Sequence, residues 1–220
     1  MTLANDSILV TPGSGATVAT HAVGNKEHQV VMLADSDGHV HGSLASYMYS
    51  VTPAAVGASK LYCDLFNAAG SGKIIDIRGI WVVPKLDAAV VGALGIRIDA
   101  YRTSAVGTGG NAAAYKSVTP DVAGGNICPF DTTNANLPAQ ITARALPAGG
   151  ATIGHWLYTV HVAGEETATS QAYVAQFWNT VPVLAVGQKL SLREGEGLLL
   201  KQGTVAATGS VGFLIVFTVE

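Results

Sequence analysis

Two histidines with a single residue between them, His39-Val40-His41, form the best candidate ligand set in the chain. Side chains at i and i+2 of a strand point to one face, so both imidazoles could address one ion. Zinc takes three or four ligands and iron takes more, so a closed site built on this pair needs several chains around an axis. His21 and His28 lie near in sequence. Exposed histidines on a polar strand face are the simpler reading. No metal and no other cofactor is expected, and His39 and His41 are the candidates if an ion is held.

Other stretches carry the residue types of a chemistry without its spacing. Asp35-Ser36-Asp37-Gly38 resembles the start of a calcium loop, but the twelfth position, which needs a bidentate acid, is Ser46. A turn is the better reading. Gly72-Lys73 resembles the end of a phosphate-binding loop, yet that pattern requires glycine at 67 and serine or threonine at 74, where the chain has Asn67 and Ile74. His155 and His161 share a strand face with Glu165-Glu166 close behind, but there is no G-x-S-x-G and no nucleophile tied to them. Glu194 and Glu196 flank Gly195, which suits a solvated turn better than a catalytic carboxylate pair. Trp156, Tyr158, Tyr173 and Trp178 could line a sugar site, but with 7% of residues aromatic a core is the better reading. Enzymatic activity is not expected.

The element that would organise the rest spans residues 60–84, KLYCDLFNAAGSGKIIDIRGIWVVP. It predicts a long β-hairpin turning at Gly70-Ser71-Gly72, where glycine tolerates positive φ. Folding about Ser71 sets Asp64 opposite Arg78, Leu65 opposite Ile77 and Leu61 opposite Trp81. One face then carries Leu61, Cys63, Leu65, Ile75, Ile77 and Trp81, and is assigned to the core. The other carries Tyr62, Asp64, Phe66, Asp76, Arg78 and Ile80, with an opposite-charge pair on it. On this reading Trp81 is buried and Asp64 lies on the more polar side.

Residues 1–45 hold short β-prone runs and a D-G turn, too little for a core of their own, and are expected to form an N-terminal arm or small docking module. Residues 46–220 hold about eight strands joined by Gly/Pro turns, without helical periodicity. Residues 93–103 alternate cleanly. In residues 153–163, Trp156, Tyr158, Val160 and Val162 take one face and His155, Leu157, Thr159 and His161 the other. In the last strand Phe213, Ile215, Phe217 and Val219 oppose Leu214 and Val216, and burial on both faces is expected. Residues 104–138 are rich in Gly, Ala, Asn, Thr and Pro, too long for an ordinary loop, and are expected at one end of the sandwich. The fold class expected is all-β: a two-sheet antiparallel β-sandwich, jelly-roll-like, with an N-terminal β-rich arm.

Only 12% of the 220 residues are charged, against about 25% in an ordinary soluble domain, while 49% are hydrophobic and mean hydropathy is +0.35. A surface with so few charges is expected to be covered by copies of itself or by a larger assembly. Net charge is −3 and pI about 6.0, with no basic patch, so no nucleic acid partner is expected. No apolar run has the length of a membrane helix and no signal peptide is apparent, so no membrane partner is expected. Cys63 and Cys128 are the only cysteines, and two make no disulfide framework.

Three blocks together resemble a known class. The N-terminal strands ending in Asp35-Ser36-Asp37-Gly38-His39-Val40 are similar to arms of tailed-bacteriophage virion proteins. Residues 65–82, LFNAAGSGKIIDIRGIWV, resemble the small jelly-roll virion proteins of those phages. Residues 193–201 with 213–219 are similar to the last two strands of such a domain. The resemblance implies a virion component, assembled in the host cytoplasm and commonly a homotrimer. It would be a capsid decoration (cement) protein bound to the major capsid protein or to other virion proteins. The alternative is a fibre-like protein of the tail, neck or baseplate that binds a receptor or glycan.

Overall fold

The structure, a computed structural model, describes residues 19–23, 26–30, 33–34, 40–41, 44–85, 95–116, 123–162, 175–179 and 190–220. The chain divides into two compact units, Met1–Ser43 and Leu44–Glu220. In the first unit, β1 (Ala19–Val23) pairs antiparallel with β2 (Lys26–Val30), setting His21 opposite His28, and β3 (Leu33–Ala34) pairs with β4 (Val40–His41).

The second unit contains β5 (Ala45–Ala55), β6 (Leu61–Asn67), β7 (Ile75–Lys85), β8 (Ile96–Thr103), β9 (Asn111–Ala112), β10 (Ala114–Tyr115) and β11 (Asn126–Pro129). These are followed by β12 (Ile141–Ala145), β13 (Ile153–Val162), β14 (Ala175–Asn179), β15 (Leu190–Leu192), β16 (Glu196–Gln202) and β17 (Ser210–Val219). One sheet runs β10-β11-β5-β17-β7-β14, with β15 also on β7; the other runs β13-β8-β16-β6-β12-β9. Among the described residues all strand pairs are antiparallel except β10 with β11. From β5 to β8, from β13 to β14 and from β15 to β17, each successive strand lies in the other sheet, while β14 and β15 both pair with β7; the two sheets form a β-sandwich. Between the sheets lies one apolar core, with Ile75, Ile77, Ile80, Val82, Phe213, Ile215 and Phe217 from the first and Cys63, Leu65, Ile96, Ile98, Leu198 and Leu200 from the second. Tyr62 and Phe213 meet across it with ring centroids 5.2 Å apart.

The hairpin expected at residues 60–84 does not form. β6 pairs with β12 and β16, whereas β7 pairs with β17, β14 and β15 in the opposite sheet. The inward residues Cys63, Leu65, Ile75 and Ile77 are as expected, because face-to-face packing and side-by-side pairing demand the same alternation. Periodicity cannot separate the two arrangements. Residues 68–74 instead carry the chain over one end of the sandwich. There Asn67 Nδ2 donates to the Lys73 and Leu192 carbonyls at 2.8 and 3.1 Å, and Ile74 and Glu220 exchange backbone hydrogen bonds.

Two side chains therefore differ from expectation. Asp64 is 1% exposed and faces Arg144 of β12 and Leu199 of β16, not Arg78. Arg78 donates through Nε to Thr218 Oγ1 at 3.0 Å, with Nη2 3.9 Å from Asp76. Trp81 is half-buried on the outer side of its sheet. A register shift between Val216 and Phe217 inserts an extra residue on β7, so that Ile80 and Val82 join Ile75 and Ile77 inside while Trp81 turns out over Gly79. A side chain at Gly79 would collide with the six-membered ring of Trp81.

β17 keeps Phe213, Ile215 and Phe217 in the core, while Leu214 and Val216 are half-buried, so burial on its second face is partial. The stretch 104–138 is not an end loop. Its described residues extend both sheets, β11 beside β5 in one and β9 beside β12 in the other. Tyr47 and Tyr115 hydroxyls both donate to the Ala135 carbonyl, and Lys116 Nζ donates to the Thr132 and Asn134 carbonyls.

Candidate interaction surface

Among the described residues the side chains that could do chemistry do not gather in one place. His39 and Asp35-Ser36-Asp37-Gly38 lie outside the described residues, and His41 is described only as backbone at the end of β4. Among the described residues no three His, Cys, Asp or Glu side chains gather as a metal site requires. His155 and His161 are exposed on β13, while Glu165 and Glu166 lie outside the described residues.

Glu194 and Glu196 serve different partners. Glu194 accepts the backbone N–H groups of Gly72 and Gly70, at 2.7 and 3.2 Å, and these bonds hold its carboxyl below the ordinary range. Glu196 accepts from Arg102 Nη1 at 3.0 Å and from the Arg193 backbone N–H at 2.8 Å. The two carboxylates thus tie separate parts of one end of the sandwich together. The Gly70-Ser71-Gly72 turn does present two N–H groups to an anion, and the anion is a side chain of the same molecule, while the Lys73 N–H turns to Ser71 Oγ. Positive φ at Gly70 and Gly72, 82° and 64°, turns both donors the same way.

Both cysteines are free, with Cys63 in the core and Cys128 half-buried opposite Met48. Burial pushes the Cys63 thiol far above its ordinary range, so it stays protonated and unreactive. A cleft of about 310 Å³ opens where β9–β12 extend the sheets, lined by Ala112, Tyr115, Ile127, Leu137, Ile141 and Ala143 among others, none of them charged. It can receive an apolar group but brings no acid–base pair to it.

What distinguishes the surface is β13. This ten-residue strand stands at the end of its sheet and, among the described residues, pairs only with β8. It shows Ile153, Trp156 and Tyr158 at 41%, 55% and 49% exposure. A register shift between Trp156 and Tyr158 sets Trp156 opposite Tyr101 and Tyr158 opposite Ala100, so the two rings do not share the single face expected from alternation. Val160 and Val162, opposite Ile98 and Ile96, continue into the core. The strand carries no Lys, Arg, Asp, Glu or Pro, the residues that usually guard a sheet edge. Trp178 lies in β14 and is described only as backbone, and Tyr173 lies outside the described residues. Residue-type reasoning assigned Trp156 and Tyr158 to the core; only the position of β13 at the sheet end reveals their exposure. The outer face of the first sheet adds half-buried Met48, Trp81, Val83, Leu214 and Val216. No family model, curated protein or solved structure matches the chain.

Proposed function

We propose that the protein is a structural component of a virion, a capsid decoration protein that binds the head surface and clamps neighbouring subunits of the shell. The observation that carries the reading is the β13 edge, where large apolar side chains are exposed on a long strand without charged guards. A chain with 12% charged residues and such an edge is suited to being covered in an assembly. The β-sandwich and the resemblance to tailed-phage virion proteins support the same reading. In this proposal the protein is a homotrimer, residues 1–45 dock onto the shell, and residues 46–220 supply the sandwich. Electron microscopy of virions labelled for the protein tests it: many copies on the head support decoration, and copies confined to the tail overturn it.

The exposed Trp156 and Tyr158 favour a second reading, a fibre-like tail or baseplate protein that meets a receptor glycan. Aromatic faces stack on sugar rings as readily as on protein. Binding to a glycan array that is lost in Trp156→Ala, together with tail labelling, would establish this reading in place of the first.

A further inference from the structure

Two uncharged loops, residues 104–110 and 146–152, are joined to each other over the outer face of the second sheet. Thr108 N–H donates to the Gly149 carbonyl at 2.7 Å, Ala148 N–H to Thr108 at 2.8 Å, and Ser104 N–H to Thr152 at 3.1 Å. Two side chains of the sheet hold this flap from below. Asp64 Oδ2 accepts the Gly107 N–H at 2.5 Å, and Arg144 Nη1 donates to the Gly109 carbonyl at 3.2 Å. The fit is close, since a Cβ at Gly107 would stand 2.9 Å from both Asp64 Oδ2 and Pro147 Cβ. Asp64 Oδ1 and Arg144 Nε, both buried, have no hydrogen-bond partner among the described residues. Sealed by the flap, the carboxylate has one donor where an ionised group calls for several.

We propose that Asp64 is a proton-sensitive clasp, which holds the flap closed while its carboxyl is neutral and releases it when the carboxyl ionises. The groups facing Asp64 are few. β12 contributes Arg144, β6 contributes Cys63, and β16 contributes Leu199, with Lys201 and Asp99 one pair further along. Tyr49 of β5 acts on the cluster through the core and, like Cys63, is kept neutral by burial. The flap itself contains no charge. Arg144 is the near cation, and it does not offset desolvation: burial pushes the carboxyl up to about 6, against the pull of Gly107 N–H and Arg144. Opening exposes the carboxyl to water, where it ionises near its ordinary value. Between about pH 4 and pH 6 the flap therefore opens more readily as pH rises, by about 100-fold in all. The inference is independent of any role in a virion.

Amide hydrogen exchange on the full chain tests it, read at Gly107, Thr108 and Ala148 from pH 4 to pH 8 and corrected for intrinsic rates, with a parallel carboxyl-carbon titration of Asp64. Protection at these amides should fall by about 100-fold, with a midpoint that coincides with the Asp64 titration. Ser59, whose amide is held by the Gly203 carbonyl, should not follow it. In Asp64→Asn the flap amides should lose their pH dependence. Invariant protection in the wild type, an Asp64 titration in the ordinary carboxylate range, or an unchanged profile in the variant would each overturn the proposal. Should the variant not fold, the paired wild-type midpoints decide the matter alone.

Discussion

Glu194 accepts the Gly72 backbone N–H at 2.7 Å, so the turn leaving β6 is closed by a carboxylate from the turn between β15 and β16, more than a hundred residues along the chain. The bond joins the place where the chain leaves the second sheet to the place where it returns to it.

Glu194→Ala should lower the melting temperature at pH 7. The folded protein holds this carboxyl below its ordinary value, so its contribution is present above about pH 4.5 and is lost as pH falls through the lower folded value. Melts of the wild type and the variant should therefore differ at pH 7 and converge towards pH 3. A difference that persists undiminished at pH 3 would mean the side chain acts by packing and not by charge.

Asp64→Asn should show the opposite trend. Here the folded carboxyl titrates near 6 and the unfolded one near 3.8, so the native state binds the extra proton. Its stabilising contribution is complete below about pH 3.8 and is lost as pH rises through 6. Asparagine can still accept from Gly107 and has no charge to desolvate. The variant should gain about 1–3 kcal/mol on the wild type between pH 4 and pH 7, read by urea denaturation at each pH.

Gly79→Ala should cost about 1–3 kcal/mol, because the new methyl meets the Trp81 ring. Adding Trp81→Ala should recover most of that loss, and a double-mutant cycle by urea denaturation measures the coupling. Additive single effects would show that the ring does not rest on Gly79. Trp81→Ala alone should cost less than the 3–5 kcal/mol typical of a buried tryptophan, since the ring is only half-buried.

Trp156→Lys with Tyr158→Lys should leave the melting temperature within a few degrees of wild type, because both side chains are about half exposed. On the assembly reading the same pair should abolish self-association in light scattering, or occupancy on virions. Unchanged oligomer size and unchanged occupancy would remove β13 from consideration as the contact.

The strands and their inward residues were legible because alternation marks them: Ile96, Ile98 and Ala100 of β8 are all buried, as are Phe213, Ile215 and Phe217 of β17. Which strands pair was not legible. Cys63 and Leu65 face Ile75 and Ile77 across a core with the same period that they would show in a hairpin. Bulges were equally silent, since one extra residue on β7 or β13 changes no residue type yet turns Trp81 and Trp156 to other faces. The surface was legible only in bulk, through its scarcity of charge. Where Trp156 and Tyr158 emerge depends on β13 being last in its sheet, a property of the whole topology and not of any local stretch.

The placement of β17 between β5 and β7 has a consequence for biosynthesis. β5 and β7 touch no completed ladder in the middle of their sheet until residues 210–219 arrive between them. A nascent chain leaving the ribosome would carry both strands with one edge open, and the sheet could close only after β17 cleared the exit tunnel. Folding of this unit is therefore deferred until β17 has been made. Until then β5 can pair only with β11, and β7 only with β14 and β15, so each keeps one apolar edge open that a holding chaperone would be expected to protect.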